Sequence, residues 1–325
     1  EYSNRLWQDI RQGTFVLGKL PQIEVPPGHE SIVIPLESTD PTFYKVAEAN
    51  DLRSDSGRPD ATVTSSQAAT TNKTLSLVKG GARVVWSGEM QEDSLFPFVA
   101  ELRRQLTLAG QEQIEHAIID GDTAAGASAN INDIAGTPAG TELFLMFDGF
   151  RKSPLVTTTA NSRDGGALTV EDYKETMRLM GAAGINALDQ ARLGFITDVN
   201  TAWKTLELSE VKTRDVFSQA ALENGMLKGI WGYEIFVSAF MHLKDSDRLA
   251  NTAGKIDVDT VANNTTGSIL AVRWDQWLWG WRRRMTMEVD RFAEADANQI
   301  VALFRAGLIQ RDTEASAITY NLSVA

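Results

Sequence analysis

The residues best placed to do chemistry are Glu112, Glu115 and His116, in the stretch EQIEH. On a helix, an H-x-x-E-H pattern would gather two imidazoles and a carboxylate at a zinc ion. Here Glu112 stands where the first His belongs. Zinc needs three protein ligands, and the other two His, His29 and His242, carry no ligand spacing. EQIEH therefore reads as a polar helix face. The chain has no Cys, which removes disulfides, thiolate metal sites and a catalytic Cys. No G-x-S-x-G or G-x-G-x-x-G occurs. Ala253–Lys255 (AGK) resembles the tail of a phosphate loop, but the first Gly is missing and Ile256 replaces Ser/Thr. Asp257 and Asp259 lack the Gly turn and bidentate Glu of a calcium loop. The 43 acids offer many carboxylate pairs, but sequence cannot place them. No catalytic, cofactor-binding or metal residue is assigned, and no cofactor is expected.

WDQWLWGWRRRM, Trp274 to Met285, holds four of the eight Trp and three consecutive Arg. Aromatics interleaved with Arg could stack single-stranded nucleic acid. Trp277, Trp279 and Trp281 instead fall at period two, on one face of a strand, with Leu278 and Gly280 on the other. Two apolar faces describe a buried strand. Asp275, Glu288, Asp290 and the acidic EAD that follows, Glu294 to Asp296, offset the Arg, which are expected to pair with acids, including acids of a neighbouring subunit. The net charge of −12 argues against a general affinity for phosphate backbones. The charge is uneven: residues 266–325 carry seven Arg, no Lys and seven acids.

The elements that would position these residues follow from periodicity. EYSNRLWQDIRQG has helical spacing, and Pro21, Pro26, Pro27 and Gly28 then speak against regular structure. SIVIPL and the alternating TLSLVKGGARVVWSGEM bracket a long polar stretch, Glu37 to Gly81, which reads as an extended hairpin. The clearest helix runs from Ser94 to Asp120, with Leu95, Val99, Leu102, Leu106, Ala109, Gln113 and Ala117 on one stripe. About 26 residues give a rod of about 40 Å. A second helix starts at a capping box, Thr169 with Asp172, and stops at Gly181. LGFIT is a buried strand, Asp198 caps DVNTAWKTLEL, and GIWGYEIFVS is a Gly turn into a strand. NTAGKIDVDTVANNTTG is a loop. Long strands and a last strand, SAITYNLSV, close the chain. The fold class is α+β, with an α/β middle. No apolar run approaches the ~18 residues of a membrane span.

The order of these parts resembles the major capsid protein of tailed bacteriophages, the Hong Kong phage fold. KVAEANDLRSDSGRPDATVTSSQAATTNKTLSLVKGGARVVWSGEMQED resembles its extended loop, and IEHAIIDGD its helix end. GIWGYEIFVS is similar to its axial-domain turn and strand. WDQWLWGWRRRMTMEVDRF and IVALFRAGLIQRDTEASAI resemble its peripheral strands and return strand. The resemblance implies an N-terminal arm (1–30), an extended β-hairpin loop (31–90) and a peripheral domain with the spine helix (91–140). An axial domain (141–265), long peripheral strands (266–312) and a return strand (313–325) follow. It implies a structural subunit, not an enzyme, that self-assembles into the hexamers and pentamers of an icosahedral head. The head would be located in the virion, be assembled in the host cytoplasm and enclose double-stranded DNA without sequence-specific binding. Scaffold, portal and decoration proteins are the implied partners, with no membrane. A start at Glu1 suits family members that lose an N-terminal segment to a protease. Glu101, Arg103, Arg104, Arg282, Arg283 and Arg284 are the candidate contacts between subunits. Some members join a loop Lys to a neighbour's Asn with help from a strand carboxylate. Lys73 and Lys79 could supply the Lys, but VALFRAGLI has no acid, so no isopeptide bond is expected. The alternatives are an encapsulin-like nanocompartment shell and a hydrolase sited on the 94–120 helix.

Overall fold

The computed structural model describes residues 14–28, 30–46, 64–92, 98–125, 130–133, 138–181, 192–212 and 264–324, with shorter stretches between 222 and 262. The expected helix around Leu6, Trp7 and Ile10, the Ser94 cap, His29, His242, AGK and Asp259 lie outside them.

Two sheets organise the chain. The first has four strands in the order β1-β10-β11-β4: β1 is Gln22–Glu24, β4 Val78–Ser87, β10 Trp277–Phe292 and β11 Ala297–Gln310. The second is built on β6 (Leu193–Thr197), β8 (Tyr233–Val237), β9 (Asn264–Arg273) and β12 (Ser316–Leu322), with β5 (Ser162–Asp164) and β7 (Gly229–Ile230) at its edges. β9 runs antiparallel to both β6 and β12, so the last strand lies in this sheet. All five residues of β6 are buried, as expected of LGFIT. A separate two-stranded hairpin pairs β2 (Ser31–Thr39) with β3 (Ala69–Ser76).

Three expectations need correcting. Val78–Ser87 belongs to the first sheet, so the hairpin ends at Ser76 rather than near residue 90. Asn264–Arg273 belongs to the second sheet, so the break between sheets falls at the 3₁₀ turn Trp274–Gln276, not at 265. No Gly or Pro marks that turn, so the break left no punctuation in the sequence. The Pro-rich stretch after Pro21 does contain a strand: β1 pairs in parallel with Trp279–Trp281. Pro21 and Pro26 merely bracket it, and a short edge strand tolerates such flanks.

The long helix, α2, spans Phe98–Asp120 and is preceded by a one-turn helix, α1, Val16–Lys19. Leu102 and Leu106 of α2 pack on Trp86 and Ile300 of the first sheet. Farther along, Gln113 is exposed, and the buried stripe passes instead through Ile114, Ala117 and Ile118. That half of α2 joins a core shared by both sheets, with Phe147, Phe150, Trp274, Trp277, Trp279, Phe304 and Ile318. Phe150 meets Trp277 edge-on at 4.7 Å, and Phe147 meets Trp279 at 5.3 Å. The Trp strand is thus an aromatic wedge inside the protein; truncating one such Trp to Ala would cost about 3–5 kcal/mol.

The α/β packing against the second sheet follows the sequence closely. Helix α3, Val170–Arg178, has its capping box, in which the Thr169 N–H and hydroxyl both donate to Asp172. Gly181 follows in the left-handed region at φ 54°. Asp198 caps helix α4, Val199–Glu207, accepting from the Thr201 N–H at 2.8 Å. It also accepts from the Ser268 N–H of β9, tying helix to sheet.

Candidate functional site

The EQIEH stretch is occupied structurally. Glu115 is buried, and its carboxylate accepts the N–H groups of Phe15 (2.8 Å) and Val16 (3.3 Å), which open α1. Burial pushes its carboxyl above the ordinary value, and the two N–H donors oppose that rise. It is therefore not part of a solvated polar face, because the incoming arm covers the helix there. His116 lies 3.7 Å from Asp120, one turn away. Among the described residues no group of three or more His, Cys, Asp or Glu could hold a metal.

The end of α2 is a buried ionic knot. Asp120 and Arg151, both with fully buried side chains, pair at 2.9 Å. Asp122 accepts the N–H groups of Ala124 and Ile131, and Lys152 reaches it at 2.6 Å and Asp148 at 2.9 Å. Burial opposes the charge on Asp148, but bonds from Thr123 and Lys152 outweigh it and hold the carboxyl below its ordinary value. The Lys152 ammonium is likewise penalised by burial but pulled above its ordinary value by Asp122 and Asp148. Asn132 donates to the Asp120 carbonyl, and the Phe150 and Arg151 N–H groups donate to the Ile118 and Ile119 carbonyls. The orphan carbonyls of a helix end are thereby satisfied. Sequence reasoning found only IIDGD; Arg151, Lys152 and Asp148 in FDGFRKS went unnoticed, since an ion pair at a separation of 31 residues leaves no local pattern.

The six candidate contact residues do not form one patch. Glu101 and Arg104 pair with each other along α2, and Arg103 is exposed. The Arg triplet sits in an irregular part of β10, where the register against β11 shifts on both sides of Arg283. Such bulges re-aim side chains. Arg284 pairs with Glu24 at 3.0 Å, and Arg282 donates to the carbonyls of Val25 and Pro26. Two of the three Arg thus hold the chain's own N-terminal segment. Arg283 is exposed, with no ion-pair partner among the described residues.

The hairpin β2–β3 is seated on the first sheet at a glycine pair. Gly280 and Gly307 face each other across β10 and β11. A Cβ at Gly280 would lie 2.5 Å from Leu75 Cδ2, and one at Gly307 would overlap the Ser76 carbonyl oxygen. At Gly307, where the neighbour is itself backbone, only a glycine lets the hairpin approach so closely. Leu75 is fully buried there, and Lys73 Nζ donates to the Gln310 carbonyl at 2.8 Å. Burial lowers the Lys73 ammonium's pKa, partly offset by Asp312. Away from this seat the hairpin is bare: Glu37–Thr39 and Ala69–Asn72 are exposed. Beyond it Phe43 is 99% exposed, and Tyr44 and Val46 are exposed too.

No protein-family model and no curated protein matches the chain. Solved structures do. A structure of Microbacterium phage Oxtober96 aligns over 99% of this chain and 95% of its own, at 13% identity and TM-score 0.65. The mature capsid of bacteriophage PhiM1 aligns over 99% and 91%, at 11% identity and TM-score 0.65. The capsid of a native GTA particle aligns over 99% and 95%, at 14% identity and TM-score 0.65. The chain has the fold of tailed-phage capsid subunits from end to end.

Proposed function

We propose that this chain is the major capsid subunit of a tailed-phage head, joining into hexamers and pentamers that close an icosahedral shell around double-stranded DNA. The observation that carries this reading is the projecting hairpin with its exposed Phe43, Tyr44 and Val46. A two-stranded ribbon is marginal by itself in water, and a fully exposed Phe is a binding feature in search of a surface. A neighbouring copy supplies that surface. In this reading residues 14–28 are the arm, 31–76 the extended loop, α2 the spine, and the first and second sheets the peripheral and axial domains. Each subunit touches several neighbours, so modest interfaces sum through multivalency. An acidic chain encloses DNA without gripping it. Scaffold, portal and decoration proteins would be its other partners.

The test is to replace residues 40–68 by a short Gly-containing turn, leaving the seated base of the hairpin intact. The variant should unfold like the parent but form no closed shells. Normal shells from it would remove the hairpin's role.

A further inference from the structure

Three cations line up across the outer face of the first sheet. Arg283 of β10 is the register partner of Arg305 of β11, and Arg305 is the partner of Lys79 of β4. Register partners in antiparallel strands share a face, and strands lie about 4.8 Å apart. The row is therefore about 10 Å wide. Like charges directly opposite one another destabilise a sheet. The acids among the described residues do little to relieve this. Among the described residues neither Arg283 nor Lys79 has an ion-pair partner. Arg305 has only Glu30, at 3.8 Å and 91% exposed, besides a donation to the Leu77 carbonyl.

The other end of the same face has the opposite sign. Glu288 and Asp290 of β10 lie on it as partners of Val301 and Gln299, and the turn beyond carries Glu294 and Asp296, all exposed. Arg83 shares that end, over the Phe292 ring, and Arg291 pairs with Asp296 at 3.0 Å. Acids still outnumber bases there. Six residues along β11 separate the Arg305 and Gln299 rows, about 20 Å. The face thus carries a positive end and a negative end.

We propose that the Lys79–Arg305–Arg283 row receives the acidic turn, residues 288–296, of a second copy of this chain. This rests on the shell-forming reading above and names one of its contacts. Charge complementarity within one sequence makes the surface self-recognising, and like-charge placements are rejected. A phosphate backbone is the poorer fit: Glu24 and Glu30 flank the row, and Glu288 and Asp290 would meet any strand tracking along the face.

The experiment reverses each end separately. One variant carries Arg283→Glu and Lys79→Glu; the other carries Glu288→Arg and Asp290→Arg. All four positions are exposed, so both should keep the parent's circular dichroism, and the first, which relieves the repulsion around Arg305, should unfold no earlier than the parent. Each alone should need at least about tenfold more protein to assemble. An equimolar mixture should assemble as the parent does, because the reversed row of one variant then meets the reversed turn of the other, and the unaltered turn of the first meets the unaltered row of the second. Parental assembly by either variant alone, or a mixture no better than its components, would overturn the proposal. So would Arg283→Glu lowering affinity for a double-stranded DNA oligonucleotide while leaving assembly unchanged. If the parent itself forms no assemblies, the shell reading fails first, and that failure is visible in the control.

Discussion

Replacing Gly307 by Ala tests how the hairpin is held. The methyl would overlap the Ser76 carbonyl oxygen and come within 3.1 Å of its carbon, and both belong to backbone. Backbone cannot swing aside as a side chain can, so the hairpin must lift from the sheet. Overpacking of this kind costs about 1–3 kcal/mol. Lifting also stretches the Lys73–Gln310 bond, 2.8 Å here, worth about another 1 kcal/mol. Ala returns about 0.5–1 kcal/mol by restricting the unfolded chain relative to Gly. The net cost is about 1–3.5 kcal/mol. Gly280→Ala is the control: its methyl meets the Leu75 side-chain tip at 2.5 Å, and the Leu75 Cγ and Leu77 Cδ2 only at 3.5 Å. A rotamer change relieves that clash, leaving about 0–1 kcal/mol. Urea unfolding followed by Trp fluorescence reads both, because Trp279 and Trp281 flank Gly280 in β10. Equal stabilities for Gly307→Ala and the parent, with unchanged assembly, would refute the close seating of the hairpin.

Three further outcomes are expected. Arg151→Ala should destabilise the chain by about 3–5 kcal/mol in urea unfolding, since it removes the guanidinium paired with the buried Asp120 carboxylate; a loss below about 1 kcal/mol would contradict the ionic knot. Asp148 has a folded-state pKa below its unfolded value, so its contribution is present above pH 3.8 and is lost as pH falls through the lower folded value. Asp148→Asn should flatten that acid limb of the stability profile, and an unaltered limb would argue against the Lys152 and Thr123 bonds. Glu115 has the opposite sign: its folded pKa is raised, so its contribution is full below pH 4.5 and lost as pH rises through the folded value. Glu115→Gln should therefore remove a decline in stability on that side, read from urea midpoints against pH.

What was legible in the sequence was local and periodic. The Thr169–Asp172 capping box, the Asp198 cap, the buried LGFIT strand and the period-two Trp each carry their signal within a few residues. Trp277, Trp279 and Trp281 declared a strand with two apolar faces, and both faces are filled, by Phe147 and Phe150 on one side and by Leu75 on the other. What stayed hidden depended on distant backbone. Glu115 binds N–H groups about 100 residues away, and amide donors have no sequence signature. Arg282 likewise spends its charge on carbonyls of the arm. The cationic row exists only in the register of β10, β11 and β4, which places Lys79 beside residues more than 200 positions later.

The measurement closest to the central claim is negative-stain microscopy of the purified chain alongside its sedimentation profile. Closed shells tens of nanometres across, or capsomer-sized rings, are the expected result, and nuclease-protected DNA rather than protein cargo inside would favour the phage head over a nanocompartment. A compact, monodisperse monomer or dimer, even with crowding agents or a scaffold, would contradict it.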